Sequence, residues 1–178
     1  SVRSRATMRR PVQDIDDSIL GVQIGLGYEF RDRSLLVDAL THRSFLHERA
    51  NLARTDNERL EFMGDAVLQW AVSALLCERF PSATAGELTR RRADLVCEEG
   101  LARIARELGV GTGLRLGRGE ERSGGREKSR LLSDALEACI AALYLDAGSV
   151  ITLSVCRALF EARLEHEAPG ARDFKTRV

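Results

Sequence analysis

The sequence predicts an all-α protein. Leu, Ala, Arg and Glu are abundant while aromatic residues make up only 5% of the chain. Apolar residues recur at helical spacing, and helix start and stop signals punctuate the chain. No segment alternates apolar and polar residues long enough for a strand, and no internal repeat is present. With 178 residues, 44% of them hydrophobic and 30% charged, the chain has the size of one domain and the apolar content for a real core.

Residues 1–15 read as a flexible basic N-terminal tail carrying Arg3, Arg5, Arg9 and Arg10. From Asp16 the pattern turns helical, with Ile19, Leu20, Val22, Ile24 and Leu26 as apolar positions. Gly27 stops this helix, and Tyr28 and Phe30 are expected to pack at the turn. A second short helix starts near Arg33 and carries Leu35, Leu36, Ala39 and Leu40. Thr41-His42-Arg43-Ser44 then leads into a polar loop.

The long central helix opens on Thr55-Asp56-Asn57-Glu58, which has the spacing of a capping box, and Pro81 ends it after about Phe80. A second capping box, Thr84-Ala85-Gly86-Glu87, opens a helix with Arg90, Arg91 and Arg92, and a further helical stretch covers Glu98 to Leu108. Residues 109–130 hold seven glycines and read as a loop or tight turns. The second half of that segment is basic: Arg115, Arg118, Arg122, Arg126, Lys128 and Arg130 face Glu120, Glu121 and Glu127, six charges against three. Two last helices, Leu131 to Asp146 and Ser149 to Glu167, are separated by Ala147-Gly148.

Net charge is zero, with 27 basic and 27 acidic side chains, so any polyanion must be met by local rather than overall charge. Cys77, Cys97, Cys139 and Cys156 are widely spaced, without a Cys-x-x-Cys or Cys/His pairing for zinc, and suit a reducing compartment. The longest charge-free stretch, Ala66 to Cys77, is short for a membrane span, and no hydrophobic signal region opens the chain. A cytoplasmic location with no membrane partner is the expectation.

Four carboxylates stand out. In the central helix Glu58, Glu61, Asp65 and Gln69 fall on one stripe, while Leu60, Phe62, Met63, Ala66, Val67, Leu68 and Trp70 surround it with apolar surface. Asp134 and Glu137 lie three apart on a helix with no further charge before Asp146, and Ala138 and Ala141 would let another helix approach. Acids at such spacings are ordinarily a solvated helix face, but a solvated face normally carries other charges as well. Two acids on each of two apolar helices instead suit a hard cation, Mg²⁺ or Mn²⁺, held by carboxylate oxygens. A di-iron bundle would need Glu-x-x-His, and Ile140 follows Glu137 while Gly64 follows Glu61 at that spacing. His42, His47 and His166 are scattered, no nucleophile motif or phosphate loop is present, and His42 reads as a structural histidine.

Asn57 to Leu68, NERLEFMGDAVL, closely resembles the signature of the ribonuclease III family, with Met63 where that family usually has Leu. The resemblance extends to Thr41-His42-Arg43-Ser44, to GELTRRRADLV at 86–96, to GEERSGG at 119–125 and to SDALEACIAALYLDAG at 133–148. It implies a helical endonuclease domain over residues 16–168 that works as a homodimer, with Glu61, Asp65, Asp134 and Glu137 as catalytic and metal-binding acids. It further implies a supporting role for Glu58 and a dimer contact through Phe62, which by periodicity alone passes as core. Residues 169–178, including Asp173-Phe174-Lys175-Thr176, resemble the linker towards a double-stranded-RNA-binding domain that lies outside this chain. Ala85, where many members carry Glu, and Cys139 and Ala141, where Leu and Gly are more usual, are departures from the pattern.

The activity so implied is Mg²⁺-dependent hydrolysis of double-stranded RNA. Cuts would be staggered, leaving 5′-phosphate and 3′-hydroxyl ends, in ribosomal RNA precursors and other structured transcripts. Arg90, Arg91, Arg118, Arg122, Arg126 and Lys128 are the expected phosphate contacts. The alternative is a catalytically inactive module that binds double-stranded RNA or ribosomes. Intact acids at all four positions argue against it, as they do against a purely structural helical dimer.

Overall fold

A computed structural model describes residues 17–53 and 55–166, with no side-chain description at 166. The expected N-terminal tail and the expected C-terminal linker lie outside the described residues. The helices are α1 (Asp17–Leu26), α2 (Arg33–Ala39), α3 (Arg43–Glu48), α4 (Glu58–Arg79), α5 (Ala85–Leu95), α6 (Glu98–Glu107), α7 (Val110–Gly113), α8 (Arg118–Arg122) and α9 (Ser129–His166). A 3₁₀ turn covers Gly125–Glu127, and no strand occurs among the described residues beyond one isolated bridge between Thr41 and Arg115. The all-α expectation holds.

The centre of the fold is the pair α4 and α9, with α6 and α2 also packed on α9. Leu68, Leu75 and Leu76 of α4 meet a core that includes Leu132, Leu136, Ile140 and Leu143 of α9, all fully buried. Each such side chain contributes about 1.5–3 kcal/mol on removal from water. By length and composition α4 and α9 would suffice to cross a bilayer; here they form the heart of the helical core. The expected break at Gly148 is present as a kink inside α9, where that residue has φ 81° and ψ 177°. Only glycine adopts this conformation readily.

Just before this kink a clamp on α9 holds the chain after α1. Asp146 accepts hydrogen bonds from the Tyr28 hydroxyl (2.9 Å) and from the backbone N–H groups of Arg31 (2.8 Å) and Asp32 (3.0 Å). Tyr28 and Phe30 do pack together, edge to face at 5.2 Å.

Two local expectations are corrected. Thr55 does not cap α4: Asn57 is the N-cap, and Asp56 takes the Glu58 N–H at 3.2 Å. The Asn57 side chain turns inward and donates to the Ala39 carbonyl at 3.2 Å, because burial demands a partner there. Thr41–Ser44 does not lead into a loop but opens α3, whose cap is His42. The glycine-rich segment 109–130 is a set of tight turns, as expected: the short helices α7 and α8 and the 3₁₀ turn fill most of it. The Thr84/Glu87 capping box forms as expected, with both reciprocal bonds in place.

Candidate metal centre and nucleic-acid interface

The site lies where α4 passes α9. Glu61 on α4 and Asp134 and Glu137 on α9 each offer a carboxylate oxygen, and the three oxygens lie within 4.8 Å of one another. A glycine makes this crossing possible: a β-carbon at Gly64 would overlap the backbone carbonyl of Glu137. Of the four acids singled out in the sequence, the structure brings these three together. Asp65, one turn beyond Glu61, is exposed and accepts from the Gln69 amide at 3.4 Å; it stands outside the triad. Its charge still reaches the site and helps to raise the Glu137 pKa.

All three clustered acids are pushed towards the protonated form. Burial is the largest cause for each. Repulsion from neighbouring acids adds to it: from Asp134, Glu58 and Asp65 at Glu61, from Glu98 at Asp134, and from Asp65, Asp134 and Glu61 at Glu137, which is raised from 4.5 to about 8. Arg130, 3.6 Å from Asp134, opposes the shift at Asp134 and Glu61. Three partly buried acids that repel one another, with only oxygen donors, fit a hard divalent cation, which would offset both causes at once.

Beside the triad lies a cavity of about 190 Å³ bordered by His42, Arg43, Asn57, Glu58, Glu61, Arg130 and Asp134. Glu58 is exposed and forms an ion pair with Arg43 at 3.2 Å. Asn57 fixes this wall, since its backbone N–H donates to the Thr41 carbonyl at 2.9 Å. His42, Arg43 and Arg130 belong to the site's surroundings, yet sequence spacing could not place them there. The Thr41–Ser44 motif was the one available signal.

The six basic residues expected to meet phosphate divide. Arg90, Arg118 and Arg122 are exposed, and Arg91 is half-buried over the Phe80 ring at 4.3 Å. Arg126 and Lys128 are engaged within the chain. The Arg126 guanidinium is forked onto Glu121 (2.6 and 2.8 Å) and donates to the carbonyls of Gly111 (2.8 Å), Thr112 (3.0 Å) and Leu114 (2.7 Å). Lys128 is bound to Glu120 and Ser123. Both hold the 109–130 segment in shape, since each carbonyl and acid there needs a partner. Phe62, apolar and near the start of α4, is 84% exposed rather than core.

Comparison with known proteins agrees with this geometry. Residues 32–164 match the family described as Ribonuclease-III-like. A "Ribonuclease 3" from Syntrophobacter fumaroxidans is 50% identical over 151 residues, covering 85% of this chain and 62% of that protein. One from Geobacter sulfurreducens is 46% identical over 174 residues, covering 97% of this chain and 70% of that protein. Among solved structures, the nuclease domain of ribonuclease III from Campylobacter jejuni superimposes with a TM-score of 0.75 at 42% identity, covering 81% of this chain and 96% of that one. That structure is described as having flexibility in a region involved in dimer formation. The chain thus spans 62% and 70% of the length of the two curated relatives. With the acid triad, the helical core and these matches together, the chain belongs to the ribonuclease-III-like family.

Proposed function

We propose that this chain is the nuclease domain of a ribonuclease III-type endoribonuclease, which hydrolyses phosphodiester bonds in double-stranded RNA in the cytoplasm. The carrying observation is the convergence of Glu61, Asp134 and Glu137 from two packed helices, within a chain of this family. These three residues, with Asp65 at the edge, would hold Mg²⁺, or Mn²⁺ in its place. When bound, the cation supplies Lewis-acid activation of water and stabilises charge developing at phosphorus.

The chain's own residues prepare that chemistry. Close packing at Gly64 keeps the carboxylates of α4 and α9 within reach of each other, so no reorganisation is needed when substrate arrives. Arg130 and Arg43 place positive charge at the cavity mouth, where an RNA phosphate must come near the acids. Water adds to phosphorus and the bond to the 3′-oxygen breaks, leaving 5′-phosphate and 3′-hydroxyl ends. Arg90, Arg91, Arg118 and Arg122 make phosphate contacts outside the site. Recognition follows A-form shape, phosphates and 2′-hydroxyls rather than base sequence. Ribosomal RNA precursors and other structured transcripts are the substrates of such an enzyme.

The active form is a homodimer, in which each site cuts one strand and the cuts are staggered. Exposed Phe62, Ala66 and Trp70 support this, since they form one apolar stripe along α4. The test is incubation of long duplex RNA with Mg²⁺ and either wild-type protein or Glu137→Gln. Cleavage by wild type that is lost in the variant supports the assignment, and equal cleavage by both sinks the metal centre. Binding without cleavage by wild type, at low salt and high protein, makes the chain a double-stranded-RNA-binding module instead.

A further inference from the structure

One residue that borders the cavity beside the acid triad carries a ring nitrogen with no hydrogen-bond partner among the described residues. His42 borders that cavity with Arg43, Arg130, Glu61 and Asp134. One edge of its imidazole is committed to α3: Nδ1 accepts the Ser44 N–H at 3.2 Å, as the N-cap of that helix. The Ser44 hydroxyl lies 2.8 Å from the same nitrogen and accepts the Gly117 N–H at 2.9 Å, so its own proton is directed to Nδ1. Nδ1 is therefore an acceptor, and the single ring proton of a neutral imidazole sits on Nε2. Burial favours the neutral ring, lowering its pKa against the opposing pull of Glu120, Asp134 and Asp56; Arg43 adds to the lowering.

No group among the described residues accepts the Nε2 proton. No buried side-chain nitrogen there lacks a partner, so Nε2 is open to solvent. The ring is also firmly held. The His42 backbone N–H donates to the Arg115 carbonyl at 3.0 Å, and Asn57 links Thr41 to the first turn of α4 through bonds of 2.9 and 2.8 Å, ending at the Glu61 N–H. A short chain of hydrogen bonds thus fixes this donor relative to a carboxylate of the triad.

Capping alone does not account for a histidine. A cap needs only an acceptor, which Asn, Asp, Ser or Thr supplies with a shorter side chain. What the imidazole adds is a second polar edge beyond the cap, on a residue that borders the cavity. A neutral donor also suits this place. It can bind an anionic oxygen without setting another fixed positive charge against the cation that the three acids would hold.

We infer that His42 is a substrate-binding residue whose Nε2–H donates to a non-bridging oxygen of an RNA backbone phosphate seated in the cavity. This rests on the endoribonuclease reading above. The informative variant is His42→Asn, because the Asn side-chain oxygen keeps the α3 cap while the Nε2 donor is lost; Ala would remove both. The expected result is a fall in kcat/KM on long duplex RNA of about ten- to a hundred-fold with an unchanged thermal midpoint.

A second readout needs no turnover. In a Glu137→Gln background, binding of a duplex with a neutral methylphosphonate at the mapped cleavage position is compared with binding of the all-phosphate duplex. The methylphosphonate should weaken binding when His42 is present and do so much less when His42→Asn is added. Equal penalties in both proteins, or wild-type cleavage rates in His42→Asn, overturn the inference while leaving the endoribonuclease reading intact. Activity losses that track losses of thermal stability across His42→Asn and Ser44→Ala overturn it in favour of a structural cap. Wild-type protein that cuts no duplex RNA overturns the parent reading, and this one with it.

Discussion

Gly64 on α4 rests directly on the backbone of Glu137 on α9, leaving no room for a β-carbon between the two helices. The obstacle is a main-chain carbonyl inside a helix, which cannot rotate aside as a side-chain tip could. Gly64→Ala should therefore force the helices apart, costing about 3 kcal/mol. The same displacement separates Glu61 from Glu137, so cleavage should fall further than stability predicts. Thermal denaturation beside a duplex-RNA cleavage assay measures both, and a wild-type midpoint would show that this contact does not set the helix spacing.

The acid triad should make the metal-free protein lose stability as pH rises from the ordinary carboxyl range to about 8. The folded chain holds the Glu137 proton up to about pH 8, whereas an unfolded carboxyl releases it near 4.5. This contribution to stability is complete below the unfolded value and is lost as pH rises through the folded one. Since Glu137 is only partly buried, about 1–2 kcal/mol should disappear between about pH 4.5 and about pH 8 after allowing for solvent screening, with no further loss above that range. Glu137→Gln should lack that loss, being neutral throughout. Denaturation with a chelator present, at both pH values, tests this; parallel curves for the two proteins would contradict it.

Arg126 should behave as a structural residue and Arg122 as a surface one. Lysine cannot reproduce a fork onto Glu121 together with three carbonyl contacts, so Arg126→Lys should destabilise the protein by about 2 kcal/mol. Arg122→Ala, removing an exposed side chain, should change stability by no more than about 0.5 kcal/mol while weakening duplex-RNA binding. Urea denaturation and binding titrations at two salt concentrations separate the two roles. Comparable destabilisation by both variants would refute the division.

Phe62→Asp should dissociate a dimer without unfolding its protomers. The ring is 84% exposed, so it adds little to the protomer's own core. A charge at the centre of an apolar interface would have no partner and should weaken association by about a hundred-fold or more. Sedimentation velocity across a dilution series reports the association, and circular dichroism the fold. A variant that sediments like wild type would place the interface elsewhere.

Much of this protein is determined by its sequence alone. Helical periodicity, the Thr84/Glu87 capping box, the stop at Pro81 and the kink at Gly148 are local, so the all-α class and most helix limits are legible from residues a few positions apart. The acids were legible as well, because carboxylates amid apolar helix surface call for a compensating partner. The linear chain could not say which of them converge. Asp65 shares a stripe with Glu61, yet only the crossing of α4 over α9 leaves it outside the triad. The same holds for Phe62, whose apolar character looked like core until the packing left it uncovered, and for Arg126 and Lys128, whose charge looked free until the fold supplied their acceptors. Gly64, His42 and Arg130 acquire their places only from contacts across long stretches of chain. Spacing along a helix determines which side chains share a face, but tertiary packing decides what that face meets, and with it charge, exposure and chemistry.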